Sequence, residues 1–188
     1  MSGTASWFKI LYVDQRARVE RSGVPPSGSQ DEACRRKMKN TFDAGPIDLL
    51  LVEDNAGEAR LAQCALGRGG IYGNIYHVGD GVEAMRFLRR QENYADVPLP
   101  DLILLDLNLP RKDGREVLEE VKEDPELRLI PVVVLTTSET EQDVAETYRL
   151  HANAYIVKPV DMVGFIEVVR SLKDFWFSTA KLPGSRGG

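Results

Sequence analysis

From Pro46 onward the chain alternates two kinds of segment. Short runs rich in aliphatic and β-branched residues predict strands over 48–52, 74–78, 101–105, 131–135 and 154–157, and between them apolar residues return at helical spacing. Near-continuous apolar strands separated by amphipathic helices are the pattern of a parallel sheet covered on both faces. The helices carry their own start signals. Asn55 is placed to cap a first helix whose Leu61, Cys64, Ala65 and Leu66 are apolar and which stops around Gly67 to Gly70. Asp80 caps a second with Val82, Met85 and Leu88 on one side, and Asp113-Gly114 opens a third carrying Val117, Leu118 and Val121, which ends near Asp124. Ser138 with Glu141 fits a capping box for a fourth, with Val144, Ala145 and Tyr148 inward, and a fifth runs from about Asp161 to Phe177. Five strands with five helices is the count of an α/β, flavodoxin-like doubly wound domain.

The first 45 residues lack this periodicity. They contain the Ser, Gly and Pro stretch 22–29 and the basic run 35–39, and are expected to form a flexible extension, with the domain over 46–182 and a disordered end over 183–188. Ile10-Leu-Tyr-Val-Asp14 echoes Leu49-Leu-Leu-Val-Glu53, but with nothing after it to build a second sheet the echo reads as coincidence or a misassigned translation start rather than a repeat. A chain of 188 residues has room for one such domain and an appendage, not for a DNA-binding output domain as well.

Composition narrows the class further. Hydrophobic residues make up 43% of the chain and charged residues 28%, as in a soluble globular protein, and no apolar run approaches the roughly 20 residues of a membrane span. Residues 7–13 are apolar but too short for a span and lack a signal-peptide cleavage site, which leads to an expected cytoplasmic location without membrane contact. The net charge of -5 divides into +3 over residues 1–44 and -8 over the rest. An acidic main body argues against nucleic acid as a partner. Cys34 and Cys64 have no metal-site spacing, and His77 and His151 are isolated.

Chemistry gathers where the strands end. In an open parallel sheet, ligands bind beyond the carboxyl ends of the strands. Here the first strand ends in Glu53-Asp54, the third in Asp106, the fourth in Thr136 and the fifth in Lys158. Taken singly, each is an ordinary strand-end residue. Jointly they bring three carboxylates together, whose repulsion a divalent cation with oxygen ligands, Mg²⁺ above all, would relieve. A carboxylate so placed can act as nucleophile toward phosphorus when a metal and a nearby cation neutralise the transferring group, and Lys158 can supply that cation.

These residues and their spacing resemble the response-regulator receiver domains over essentially all of 46–182. The resemblance implies a (βα)5 sheet of order 2-1-3-4-5 and a phosphoryl group taken on Asp106 from a histidine kinase in a two-component phosphorelay. It implies Mg²⁺ held by Glu53, Asp54, Asp106 and the backbone carbonyl of Asn108. Thr136 would turn its hydroxyl toward the phosphoryl oxygens, Tyr155 would rotate inward behind it, and the Lys158–Pro159 peptide bond would be cis. The segments 100–110 (PDLILLDLNLP), 113–118 (DGREVL), 131–137 (PVVVLTT) and the tail 175–183 (FWFSTAKLP) are similar to single-domain regulators of phytochrome-type kinases. That likeness implies a bacteriophytochrome as kinase and a homodimer through the fourth helix, fifth strand, fifth helix and tail. The long N-terminal extension departs from that group.

Two rival chemistries are weaker. A haloacid-dehalogenase-type phosphatase also uses an aspartate nucleophile and Mg²⁺, but it typically carries a second aspartate two residues on, where this chain has Asn108. Turnover of free phosphoesters, and so enzyme activity, is not expected. A flavin-binding flavodoxin would need a hydroxyl- and glycine-rich phosphate loop where Glu53 to Glu58 stand, and carboxylates there repel phosphate.

Overall fold

The apolar runs fold into strands because both of their faces are covered. The computed structural model describes residues 11–12, 46–180 and 182. In it β1 (Ile47–Val52), β2 (Gly73–Val78), β3 (Leu102–Leu105), β4 (Val132–Thr136) and β5 (Ala154–Val157) pair in parallel in the order β2-β1-β3-β4-β5. The connections are α1 (Ala56–Arg68), α2 (Gly81–Leu88), α3 (Gly114–Glu123), α4 (Glu141–Arg149) and α5 (Met162–Lys173). This is the doubly wound architecture that the alternation of segments predicts.

Because strand side chains alternate between faces, the sheet divides its core in two. Leu50, Val52, Ile103, Leu105, Val132 and Val134 pack with Met85 and Phe87 of α2 and with Val117, Leu118 and Val121 of α3. Leu49, Leu51, Leu102, Leu104, Val133 and Leu135 pack on the other side with Ala59, Ala62 and Leu66 of α1 and with Phe165, Val169 and Leu172 of α5. Each fully buried aliphatic or aromatic side chain contributes roughly 1.5–3 kcal/mol, so the strand ends stand on a firm platform.

Asn55, Asp80 and Asp113 cap α1, α2 and α3 as the sequence predicts, the last with Glu116 in a reciprocal capping box. The fourth cap differs. Thr140, not Ser138, accepts the N–H of Asp143 and starts α4, while the Ser138 hydroxyl donates to the Asp143 carboxylate. The inward face of α4 also differs from the expected set. Thr147 is fully buried and Val144 half-buried, whereas Ala145 and Tyr148 are exposed. A nine-residue helix at the sheet's edge presents only a narrow stripe inward, and a small threonine fills it where a tyrosine would not.

A sixth strand joins the sheet: Leu11–Tyr12 pairs antiparallel with β2, Leu11 opposite Ile75 and Tyr12 opposite Asn74. The echo in Ile10 to Asp14 therefore includes a real strand. It joins the same sheet at its edge, where a strand needs only a neighbour's unpaired backbone, and does not start a repeat of it. The rest of the expected extension over 1–45, Cys34 with it, and the expected end over 183–188 lie outside the described residues. At the other end, α5 continues into wider π-helical turns over Asp174–Thr179, where Trp176 and Phe177 pack on the α1/α5 side of the core and Phe175 is 55% exposed.

Candidate active site

The sheet carries its chemistry at one edge. Backbone hydrogen bonds hold each strand end to its neighbour: Glu53 N–H donates to Val78 O at 3.0 Å, Asp106 N–H to Val52 O at 3.1 Å and Lys158 N–H to Thr136 O at 2.8 Å. Gly114 lets α3 start against this edge. A Cβ there would lie 2.1 Å from the carbonyl oxygen of Asp106, so any other residue would push the helix and the acid apart.

Residues distant in sequence meet as a result. Lys158 Nζ lies 2.5 Å from Asp106 Oδ2, 2.5 Å from Glu53 Oε2 and 2.7 Å from Glu58 Oε2. The acidic oxygens of Glu53, Glu58 and Asp106 lie within 4.8 Å of one another. Two backbone N–H groups fix the strand-end acids: Asn55 donates to Glu53 Oε1 at 3.1 Å, and Asn108 to Asp106 Oδ1 at 3.2 Å. Behind Glu53, a ring nitrogen of His77 lies 2.8 Å from its carbonyl oxygen.

Burial and charge oppose each other here. Burial raises the Glu53 carboxyl above its ordinary value, more than Lys158 beside it lowers it. Burial alone would lower the Lys158 ammonium, but hydrogen bonds to Asp106, Glu53 and Glu58 outweigh that effect and hold it well above its ordinary value. The lysine is therefore a fixed cation among excess negative charge.

Other expected site residues stand at varying distance from this cluster. Thr136 is fully buried at the end of β4, and its hydroxyl accepts the N–H of Ser138 at 3.4 Å. Tyr155 is half-buried against the α2/α3 side of the core, and its hydroxyl donates to Ser138 O at 2.9 Å, on the loop that follows Thr136. Arg115 ties the same loop to α3 by pairing with Asp143, the carboxylate that the Ser138 hydroxyl also reaches. Asn108 lies beside Asp106 with its side chain exposed. Asp54 is exposed and outside the carboxylate cluster, because successive side chains at a strand end turn to opposite sides and Glu53 takes the inner one. The Lys158–Pro159 bond is trans, not cis as the resemblance implied. The difference follows the trans preference before proline, which is weak but real.

Glu58 was absent from the predicted set. Its signal was positional: with Asn55 as cap, Glu58 falls in the first turn of α1, and helical side chains lean back toward the N-terminus. That lean carries the carboxylate over the end of β1.

Fold and strand-end acids together define a known class, and comparison with known proteins agrees. Residues 49–170 match the response regulator receiver domain, and the chain belongs to that family. Response regulator Rcp1 of Synechocystis sp. is 46% identical over 140 residues, which span 74% of this chain and 95% of Rcp1. The phosphorylated cyanobacterial phytochrome response regulator RcpA superposes with a TM-score of 0.71 at 48% identity, covering 74% of this chain and all of that one. The Mn²⁺-bound form of Rcp1 gives a TM-score of 0.69 at 47% identity over the same shares, 74% and 100%.

Proposed function

We propose that Asp106 accepts a phosphoryl group from a phytochrome-type histidine kinase, as one step of a two-component relay in the cytoplasm. The observation that carries this reading is the convergence of Lys158 on Asp106, with the Glu53 carboxylate beside both. One Asp106 carboxylate oxygen forms the bond to phosphorus as the donor's bond to phosphorus breaks, and the leaving group keeps the electron pair. Lys158 lies where it can meet the negative charge of the transferring oxygens. Thr136, at the end of the neighbouring strand, and Tyr155, bonded to the loop that follows it, form the moving part through which the changed charge reaches the α4 face.

The donor set fits a hard divalent cation. Glu53, Glu58 and Asp106 offer carboxylate oxygens only, the type that Mg²⁺ and Mn²⁺ take. Asp54, next to Glu53, and the carbonyl of Asn108, two residues after Asp106, would complete the shell. A Mg²⁺ ion held there would neutralise charge on the transferring group. Acceptance without turnover is the expected outcome, since Asn108 stands where a phosphatase would carry its acid/base aspartate. The same reading includes a homodimer through α4, β5, α5 and the tail, supported by the exposed Tyr148, Val157, Val163 and Phe175 on those elements.

The test is phosphotransfer from the phytochrome-type kinase of the same genome, followed by intact mass. Wild type should gain one phosphoryl group and Asp106→Asn none. Equal labelling of the two would move the acceptor elsewhere.

A further inference from the structure

An ammonium has three N–H donors, and in this structure Lys158 engages a carboxylate with each: Glu53, Asp106 and Glu58. None is left for a phosphoryl oxygen until one of these partners lets go. Two of the three are poorly placed to do so. Glu53 and Asp106 have side chains only 4% and 7% exposed, and each is pinned by a backbone N–H. Glu58 differs on both counts: its side chain is 38% exposed, and its other oxygen accepts a long, exposed hydrogen bond from Asn55 Nδ2 at 3.4 Å in place of a backbone N–H, so from the first turn of the helix it can swing into water.

We infer that Glu58 is the exchangeable partner of Lys158, a positioning residue that holds the ammonium over Asp106 and is displaced when a phosphoryl group arrives. The inference rests on the phosphoryl-acceptor reading above. Glu58 touches no reacting atom and acts through the lysine and through its charge. That charge has two opposite consequences. It opposes an incoming phosphoryl group, both by repulsion and by occupying a donor of Lys158. It favours a divalent cation, because it adds a third carboxylate to the same few ångströms.

Removing the charge while keeping the shape therefore separates the two effects. In the full chain, Glu58→Gln is expected to lower the acetyl phosphate concentration that half-saturates Asp106 labelling, at saturating Mg²⁺, by about threefold to fivefold. It is expected to raise the Mg²⁺ dissociation constant, measured by calorimetry without phosphodonor, by a similar factor. Charges this close interact strongly, and partial exposure screens them. Glu58→Asp, which keeps the charge, should return both constants toward wild type. A merely structural role for Glu58 would weaken both processes together. Unchanged constants in Glu58→Gln, a joint weakening, or Glu58→Asp behaving like Glu58→Gln would each overturn the inference. Failure of wild type to label at Asp106 would overturn the acceptor reading itself and the exchange with it. Normal wild-type labelling with unmoved Glu58→Gln constants removes only the role of Glu58.

Discussion

Lys158 Nζ lies 2.5 Å from Asp106 Oδ2 across 52 residues of chain, and the two side chains are 5% and 7% exposed. Lys122 offers a contrast within the same fold. Its ammonium is also partly buried, but it meets neutral acceptors: the carbonyl oxygen of Ile130 and Oδ1 of Asn153, each at 2.9 Å, and the carbonyl oxygen of Arg128 at 3.5 Å. Burial lowers it to about 8, whereas the carboxylates around Lys158 hold that group above its ordinary value. What separates the two lysines is the charge of the acceptors.

Removal of the site cation should therefore be costly until another cation replaces it. Lys158→Met leaves Glu53, Glu58 and Asp106 uncompensated, and breaking a buried ion pair on one side typically costs about 3–5 kcal/mol. Because Glu58 can turn outward and Glu53 can protonate, the lower end is expected, about 3 kcal/mol in chelator. Mg²⁺ should then raise the melting temperature of the variant more than that of wild type. Equal Mg²⁺ effects on the two proteins would show that the lysine and the metal do not share these acids.

Lys122 gives a pH dependence of known sign. Its ordinary value is 10.5 and its value in the fold about 8, so between those limits the folded chain holds fewer protons than the unfolded one. Stability contributed by this group accordingly rises with pH from about 8 toward 10.5. Urea unfolding of wild type and Lys122→Met across that interval isolates the effect. The stability of wild type relative to the variant should climb with pH, and a flat or falling difference would contradict the burial of an uncompensated ammonium.

Much of this was legible in the sequence because strands buried on both faces leave a plain mark. Runs such as Leu49 to Val52 and Val132 to Leu135 can be little else, and the acid, threonine or lysine after each run marks the working edge. Helix caps at Asn55, Asp80 and Asp113 were readable for a similar reason: a short polar side chain precedes each apolar stripe. What escaped depends on direction in space. Nothing in the residue order distinguishes the inward Glu53 from the outward Asp54, or shows Glu58 leaning back over a strand end. Thr147 was hidden because residue type suggested that Tyr148 faces the core. The short strand Leu11–Tyr12 was not drawn because nothing directly after it builds a sheet; its partner, β2, follows by more than sixty residues.

Asp54 tests how far the outward position matters. Its side chain is exposed, so Asp54→Ala should leave the melting temperature in chelator unchanged. If the carboxylate turns toward a bound ion, Mg²⁺ affinity measured by calorimetry should fall by about tenfold or more, a loss of roughly 1.4 kcal/mol or above in binding. Unaltered Mg²⁺ binding would remove Asp54 from the metal shell and leave Glu58 in its place.

The N-terminal strand sits at the sheet edge opposite β5, with β2, β1, β3 and β4 between them. Among the described residues, deletion of 1–45 removes a pairing two residues long, and each backbone hydrogen bond contributes about 0.5–1.5 kcal/mol net. A loss of no more than about 2 kcal/mol is expected in chemical unfolding, with phosphotransfer at the wild-type rate. A larger loss of stability, or a slower transfer, would show that these residues support the domain beyond the strand.

The proposed homodimer would turn on one aromatic ring. Phe175 is 55% exposed and stands edge-on to Trp176 with ring centroids 5.0 Å apart, while Trp176 and Phe177 pack on their own core. Truncation after Asp174 would therefore strip packing within the chain as well as any pairing between chains, and a single substitution separates the two. Phe175 borders a groove of about 580 Å³ lined by Ala154 and Ile156 of β5 and by Gly164 and Val168 of α5. In a symmetric pair each copy's Phe175 would meet the other copy's groove. Burial of one such ring contributes roughly 1.5–3 kcal/mol and the symmetry uses it twice, so Phe175→Glu should weaken association by roughly a hundredfold or more. Light scattering at micromolar concentration should give about twice the 21.0 kDa chain mass for wild type and the monomer mass for Phe175→Glu, with the melting temperature of the isolated domain preserved. A monomeric wild type would reject the dimer, and a Phe175→Glu variant that still pairs would place the contact on another part of the α4, β5 and α5 surface.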